Sequence, residues 1–77
     1  MPGKVRIRYY GYLAGEIDGE VEVEIPDEGA AIRDIVKLPS GVDVDELVLL
    51  VNGKPAKPDT RVKPGDSIAV MPHIGGG

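Results

Sequence analysis

Apolar and charged residues alternate in two segments near the start of the chain. The alternation runs over residues 5–10 and again, more regularly, over residues 20–25, where valine or isoleucine follows each glutamate. A period of two is typical of a strand with one buried face. We therefore predict two antiparallel strands joined by a glycine-containing loop. This pairing places Arg6 and Arg8 near the glutamates of the second strand, where opposite charges stabilise the sheet.

A different spacing follows, and it predicts one short helix over residues 30–37. Ile32, Ile35 and Val36 stand at positions i, i+3 and i+4, which gives an amphipathic helix a single apolar stripe. The segment Pro39-Ser40-Gly41 then ends the helix.

The second half of the chain returns to strand patterns. Residues 47–51 form a continuous apolar run, and Asn52-Gly53, a strong hairpin signal, comes directly after it. Residues 54–56 would form a short returning strand that Pro55 confines to a sheet edge. Residues 67–71 form the last strand, which Pro72 ends, and residues 42–46 connect the helix to the apolar run.

The element order predicts an α+β fold, a small mixed sheet of four to five strands packed on one helix. The intervening elements are long enough for the first and last strands to lie side by side in parallel. We expect one domain over residues 1–72 and a flexible tail over residues 73–77, which have no strand pattern.

Composition excludes several classes of function. The chain has 77 residues, a net charge of -4 and no cysteine. Direct binding of nucleic acid is not expected of an acidic surface, and a metal site cannot use thiolates. No segment is long and apolar enough to span a membrane, and no signal peptide is evident. We expect a cytoplasmic protein without a bound metal or cofactor.

The candidate chemistry lies in the three glycines that end the chain, Gly75-Gly76-Gly77. Without Cβ atoms, such a tail can enter a narrow channel, and its terminal carbonyl is open to attack. A carboxylate is ionised at neutral pH and is a poor electrophile, so it needs activation. The sequence has no phosphate-binding loop that could supply it. The pattern therefore predicts a carrier rather than an enzyme, and any sulfur it carried would have to reside at the terminal carbonyl, because cysteine is absent.

These features together resemble the MoaD/ThiS family of ubiquitin-like sulfur carriers, which have the β-grasp fold and include the small subunit of molybdopterin synthase. The resemblance extends over nearly the whole chain. It rests on the opening strand from Val5 to Gly11, the glycine-alanine pair before the helix, the hairpin from Leu50 to Lys54, the final turn and strand from Lys63 to Pro72, and the glycine ending.

The resemblance implies a mechanism and a set of partners. An E1-like adenylating enzyme would use ATP and Mg to activate the Gly77 carboxylate, and a sulfur donor would convert it to a thiocarboxylate. The sulfur would pass to an acceptor synthase, with molybdopterin the favoured product, or to a tRNA-thiolation enzyme. The reacting residue would be Gly77, and the partner-binding residues would be Gly76, Gly75, Ile74, Met71 and Tyr10.

Two other functions fit the same residues. The activated tail could be joined to target lysines, as in a ubiquitin-like protein modifier, or the domain could be a binding module with an inert tail. Members of the family often have serine where this chain has Gly75. Because of such departures, the sequence leaves the acceptor pathway open.

Overall fold

The structure is a computed structural model that describes residues 3–11, 13 and 19–72. Its elements, in chain order, are β1 (Gly3–Tyr9), β2 (Glu20–Ile25), β3 (Ala30–Ala31), α1 (Ile32–Ile35), a 3-10 turn (Val44–Glu46), β4 (Leu47–Val51), β5 (Lys54–Ala56), β6 (Arg61–Val62) and β7 (Ser67–Pro72).

Five of these strands form the main sheet, in the order β2-β1-β7-β4-β5. The first and last strands, β1 and β7, are parallel neighbours at its centre, and the other pairs are antiparallel. The predicted α+β class, the mixed sheet and the parallel contact of the first and last strands are confirmed.

One face of this sheet is buried and the other is open. Alternate side chains of β1 and β7 pack against Ile32 of α1, which is completely buried. Leu13, from the segment between β1 and β2, is also completely buried in this core. Sequence analysis missed it, because the glycines at positions 11, 15 and 19 indicate a loop, and a loop does not predict a buried side chain.

The helix is shorter than predicted. It ends at Ile35, and the backbone of Val36 is extended, with φ -82° and ψ 143°. The next backbone N–H, that of Lys37, donates to the hydroxyl oxygen of Tyr9 at 3.0 Å instead of to a helical carbonyl. Leu38 precedes a proline, which disfavours the helical region for that residue. Prediction of a helix over residues 30–37 was therefore wrong at both ends.

At the other end of the helix, residues 30 and 31 form a strand. Ala30 and Ala31 pair with Val62 and Arg61 in a second, two-stranded sheet. The N–H of Ile32 then donates to the carbonyl of Thr60 at 3.0 Å, so main-chain carbonyls satisfy the helix start without a side-chain cap.

A network of side-chain hydrogen bonds joins two turns at one end of the sheet. Asn52 has φ 52° and Gly53 has φ 84°, as a tight hairpin requires, which confirms the predicted turn. The amide of Asn52 donates to Asp66 at 3.1 Å and accepts from the N–H of Ser67 at 3.0 Å. The hairpin is thereby fixed to the start of β7.

Candidate partner-binding site at the end of the last strand

Pro72 is the last described residue of the chain and the last residue of the central strand β7. The prediction that the last strand covers residues 67–71 and that Pro72 ends it was wrong by one residue, because Pro72 still pairs with Leu47. The expected reacting residue Gly77 and the expected partner-binding residues Gly76, Gly75 and Ile74 lie outside the described residues. The site can therefore be built only from the surface around Pro72.

A glycine allows the segment after β1 to pass close to Pro72. Gly11 has φ +64°, and a Cβ added there would lie 2.9 Å from Cγ of Pro72. Any other residue at this position would press on the proline and adopt a left-handed backbone. Gly11 therefore brings the end of β1 and the end of β7 together.

The open face of the sheet next to Pro72 is apolar. Leu49 pairs with Val70, and both face the core, so the residues on either side of them face the opposite way. These neighbours form two cross-strand pairs that we call the apolar strip: Val48 with Met71, and Leu50 with Ala69.

Two large apolar side chains of this region are clearly exposed. Tyr10 is 40% exposed and Val48 is 38% exposed. The N–H of Tyr10 donates to the carbonyl of Val70 at 3.0 Å, which places Tyr10 next to Met71 at the end of the parallel pair. Sequence analysis named Tyr10 and Met71, and the structure brings them together. It missed Val48, because a continuous apolar run does not reveal which residues face outward.

Charged side chains border the apolar strip on two sides. Arg8, whose neighbour in β7 is Ala69, donates to Oε1 of Glu20 at 2.6 Å. This hydrogen bond raises the pKa of Arg8 and lowers the pKa of Glu20, so the pair stays charged at neutral pH. On the other side, Asp43, Asp45 and Glu46 directly precede Leu47 and so lie near the exit of the tail.

The described residues show no group of three or more potential metal ligands. None of their helices has the length and hydropathy that crossing a membrane would require. A depression of about 260 Å³ lies on the open face, but it is open to solvent and lined by mixed charges and turn residues, among them Lys4, Arg6 and Glu22. An exposed apolar surface with a charged border therefore lies beside the end of β7.

Comparison with protein families gives a match that extends over most of the chain. The model described as the ThiS family matches residues 7–77, which include the strands around Pro72 and the terminal glycines.

Solved structures with the same architecture come from two archaea. SAMP1 from Haloferax volcanii is 22% identical, with a TM-score of 0.74, and the match covers 97% of this chain and 100% of that one. A second protein from the same organism, HVO 2177, is 16% identical over 99% of this chain and 88% of its own, with a TM-score of 0.69. A Pyrococcus furiosus protein, provisionally assigned as molybdopterin converting factor subunit 1, is 31% identical over 91% of this chain and 97% of its own, with a TM-score of 0.61.

Proposed function

The chain belongs to the ThiS family of small ubiquitin-like carrier proteins, and from that premise we propose that it carries sulfur as a thiocarboxylate on Gly77. The observation that carries the proposal is the family match through the terminal glycines in a chain that has no cysteine. The sulfur then has no thiol of this chain to reside on, and the terminal carbonyl is the position that remains.

The chemistry proceeds in two steps on a partner enzyme. An oxygen of the Gly77 carboxylate attacks the α-phosphorus of ATP, and pyrophosphate leaves. Hydrosulfide then attacks the acyl carbon, AMP leaves with the electron pair of the broken C–O bond, and loss of the sulfur-bound proton leaves the thiocarboxylate. An E1-like enzyme with Mg supplies the ATP chemistry, because this chain has no phosphate-binding loop.

The surface around Pro72 supports docking of that enzyme. The apolar strip and Tyr10 lie beside the strand end from which the tail continues, and an exposed apolar surface of this kind is a common site of protein association. Because Asp43, Asp45 and Glu46 lie nearby, we expect the partner surface to carry basic residues around an apolar centre.

The favoured acceptor is a molybdopterin precursor. The Pyrococcus protein assigned provisionally to molybdopterin conversion is 31% identical to this chain and matches 91% of it. Transfer to tRNA-thiolation enzymes uses the same activated tail and is the alternative route for the sulfur.

A second candidate function is protein modification. The Haloferax structure named small archaeal modifier protein 1 matches 91% of this chain, with a TM-score of 0.69. In this function the activated Gly77 carbonyl would be attacked by a lysine amine of a target, and an isopeptide bond would form.

Intact-mass measurement distinguishes these functions. After incubation with the cognate activating enzyme, ATP and sulfide, we expect a mass increase equal to sulfur replacing one oxygen, mapped to Gly77. A variant lacking Gly76 and Gly77 should gain no mass, whereas Gly41→Ala, which alters an exposed turn glycine, should react like the parent. Recovery of the chain joined to target lysines, without a thiocarboxylate form, would favour the modifier. If neither product forms with an enzyme that is shown to be active, both the carrier and the modifier function are contradicted.

A further inference from the structure

The outer strand of the main sheet, β2, presents main-chain hydrogen-bonding groups that no other described strand uses. The N–H of Tyr9 donates to the carbonyl of Gly19 at 2.8 Å, and that of Tyr10 donates to Val70 at 3.0 Å. Alternate residues of β1 thus bond to β2 and to β7. By the observed register, the residues of β2 that bond to β1 are Val21, Val23 and Ile25.

The groups that point away from the sheet therefore belong to the three glutamates of β2: Glu20, Glu22 and Glu24. Their side chains lie on the open face, since Ile25 is buried and Val21 and Val23 pack against the core. Over the part of the chain that the structure describes, this edge thus combines main-chain donors and acceptors that face no neighbouring strand with a row of carboxylates.

Among the described residues, Glu20 is the member of this row that forms ion pairs. The register sets Arg6 opposite Glu22, but Nε of Arg6 lies 3.4 Å from Oε2 of Glu20, and Arg8 also binds Glu20. Within residues 3–11, 13 and 19–72, neither Glu22 nor Glu24 forms an ion pair. Both are exposed, with Lys4 opposite Glu24 and Arg6 opposite Glu22 in the register of the sheet.

The two edges of the sheet differ in how readily a further strand could pair with them. At the opposite edge, β5 has three residues and a proline, Pro55, in the middle, which interrupts main-chain pairing. The edge formed by β2 has six consecutive residues in unbroken register, without proline, lysine or a bulge. Proline, lysine and bulges are among the features that usually protect an edge from pairing.

The carboxylates decide which strand can pair there. A second copy joined edge to edge would set glutamates opposite glutamates, because groups that face outward pair only with each other. Like charges directly opposite are destabilising, whereas opposite charges stabilise. The edge is therefore protected against its own copy and attractive to a basic strand.

We propose that β2 is a site for strand addition, and that its occupant is an extended segment of a partner protein in which lysine or arginine alternates with apolar residues. Main-chain hydrogen bonds would supply affinity, and the carboxylates of Glu22 and Glu24 would select basic side chains. The site is at the far side of β1 from the apolar strip and does not depend on the chemistry of Gly77.

A peptide titration followed by NMR tests this edge. The probe is a six-residue capped peptide of alternating lysine and valine, added to the full ¹⁵N-labelled chain. We expect chemical-shift changes centred on residues 19–25, and slower hydrogen exchange at the amides of Glu20, Glu22 and Glu24. The same peptide with glutamate in place of lysine should not bind. Equal binding of the two peptides, or shifts centred on β5 or the apolar strip, would overturn the proposal.

Methylation of the peptide backbone separates strand pairing from simple charge attraction. In an antiparallel addition, a lysine that faces a glutamate exchanges main-chain hydrogen bonds with it, so the lysine N–H groups are the ones that bond to β2. Methylating the lysine nitrogens should weaken binding by about tenfold or more, whereas methylating the valine nitrogens should change it little. If both methylated peptides bind like the parent, the association is electrostatic only and strand addition is wrong.

Variants of the protein give the reciprocal test. Glu22→Pro removes an outward N–H without taking a hydrogen bond from β1, and Glu22→Gln removes the charge but keeps the N–H. Both substitutions should weaken binding of the basic peptide. Replacing Glu22 and Glu24 with lysine should transfer the preference to the acidic peptide, and a preference that stays with the basic peptide would contradict the assignment.

Discussion

At the residue scale, two glycines with similar backbones differ in their surroundings. Gly29 and Gly41 have φ of +96° and +88°. A Cβ at Gly29 would lie 2.5 Å from the carbonyl oxygen of Val62, whereas nothing lies within 4 Å of one at Gly41. The contact at Gly29 is what lets the segment before β3 approach β6.

We predict that Gly41→Ala lowers the free energy of unfolding by about 1–2 kcal/mol through backbone strain alone. Gly29→Ala should cost roughly 1–3 kcal/mol more, because the new methyl group presses on main-chain atoms that cannot rotate away. Urea denaturation of both variants measures the difference. Equal losses would mean that the close approach of residue 29 to β6 is not present in solution.

Tyr9 is a buried core residue that carries a hydroxyl group. Its hydroxyl accepts the hydrogen bond from Lys37 N–H, so Tyr9→Phe leaves that donor without its partner. We predict a loss of about 1 kcal/mol in the free energy of unfolding at neutral pH. Tyr10→Phe, at an exposed position, is the matched control and should have almost no effect.

Burial raises the pKa of Tyr9 above its ordinary value of 10.0, and the N–H of Lys37 offsets part of this shift. The unfolded chain therefore releases the proton at lower pH than the folded protein. The stability linked to Tyr9 is fully present below pH 10.0 and is lost as the pH rises towards the folded pKa. Melting temperatures between pH 8 and 11 should fall more steeply for the parent and for Tyr10→Phe than for Tyr9→Phe. Parallel curves would contradict this linkage.

At the scale of elements, α1 is held by one buried side chain. Ile32 is completely buried, whereas Ile35 is half-buried. Ile32→Ala should destabilise the protein by about 2–5 kcal/mol, and Ile35→Ala by about half as much. Chemical denaturation of the two variants checks the order, and a larger loss at Ile35 would indicate a different helix orientation.

The elements also show how far the sequence determines the fold. Strands β1, β2 and β7 follow from period-two patterns, since a one-residue shift would expose the core face. The pairing of Ala30 and Ala31 with β6 has no local signal, because alanine favours a helix and only the distant Arg61-Val62 segment makes a strand there. Near Pro72, the sequence named Tyr10 and Met71 as candidate partner-binding residues, but the outward position of Val48 required the register of β4 against β7.

At the scale of the whole molecule, the open face should govern recognition of the chain by its activating enzyme. Val48→Asp and Tyr10→Ala alter exposed side chains beside the exit of the tail. We predict that each lowers kcat/KM for adenylation by about tenfold or more, with little change in melting temperature.

Arg33→Ala, an exposed position on the helix side of the sheet, is the control and should leave adenylation unchanged. ATP–pyrophosphate exchange measures the rates. A loss at Arg33 comparable to that at Val48 would place the enzyme on the helix side instead.

The parallel contact between β1 and β7 also determines how the molecule resists force. The start of β1, at Gly3, and the end of β7, at Pro72, lie at opposite ends of this pair. A pull applied through them draws the two strands past each other along their length, so every hydrogen bond of the ladder bears load at the same time. The β4–β5 hairpin would separate one bond after another, but it lies outside this line of force. A protein-unfolding motor that pulls on the tail would therefore load the β1–β7 contact, which is mechanically the strongest, first.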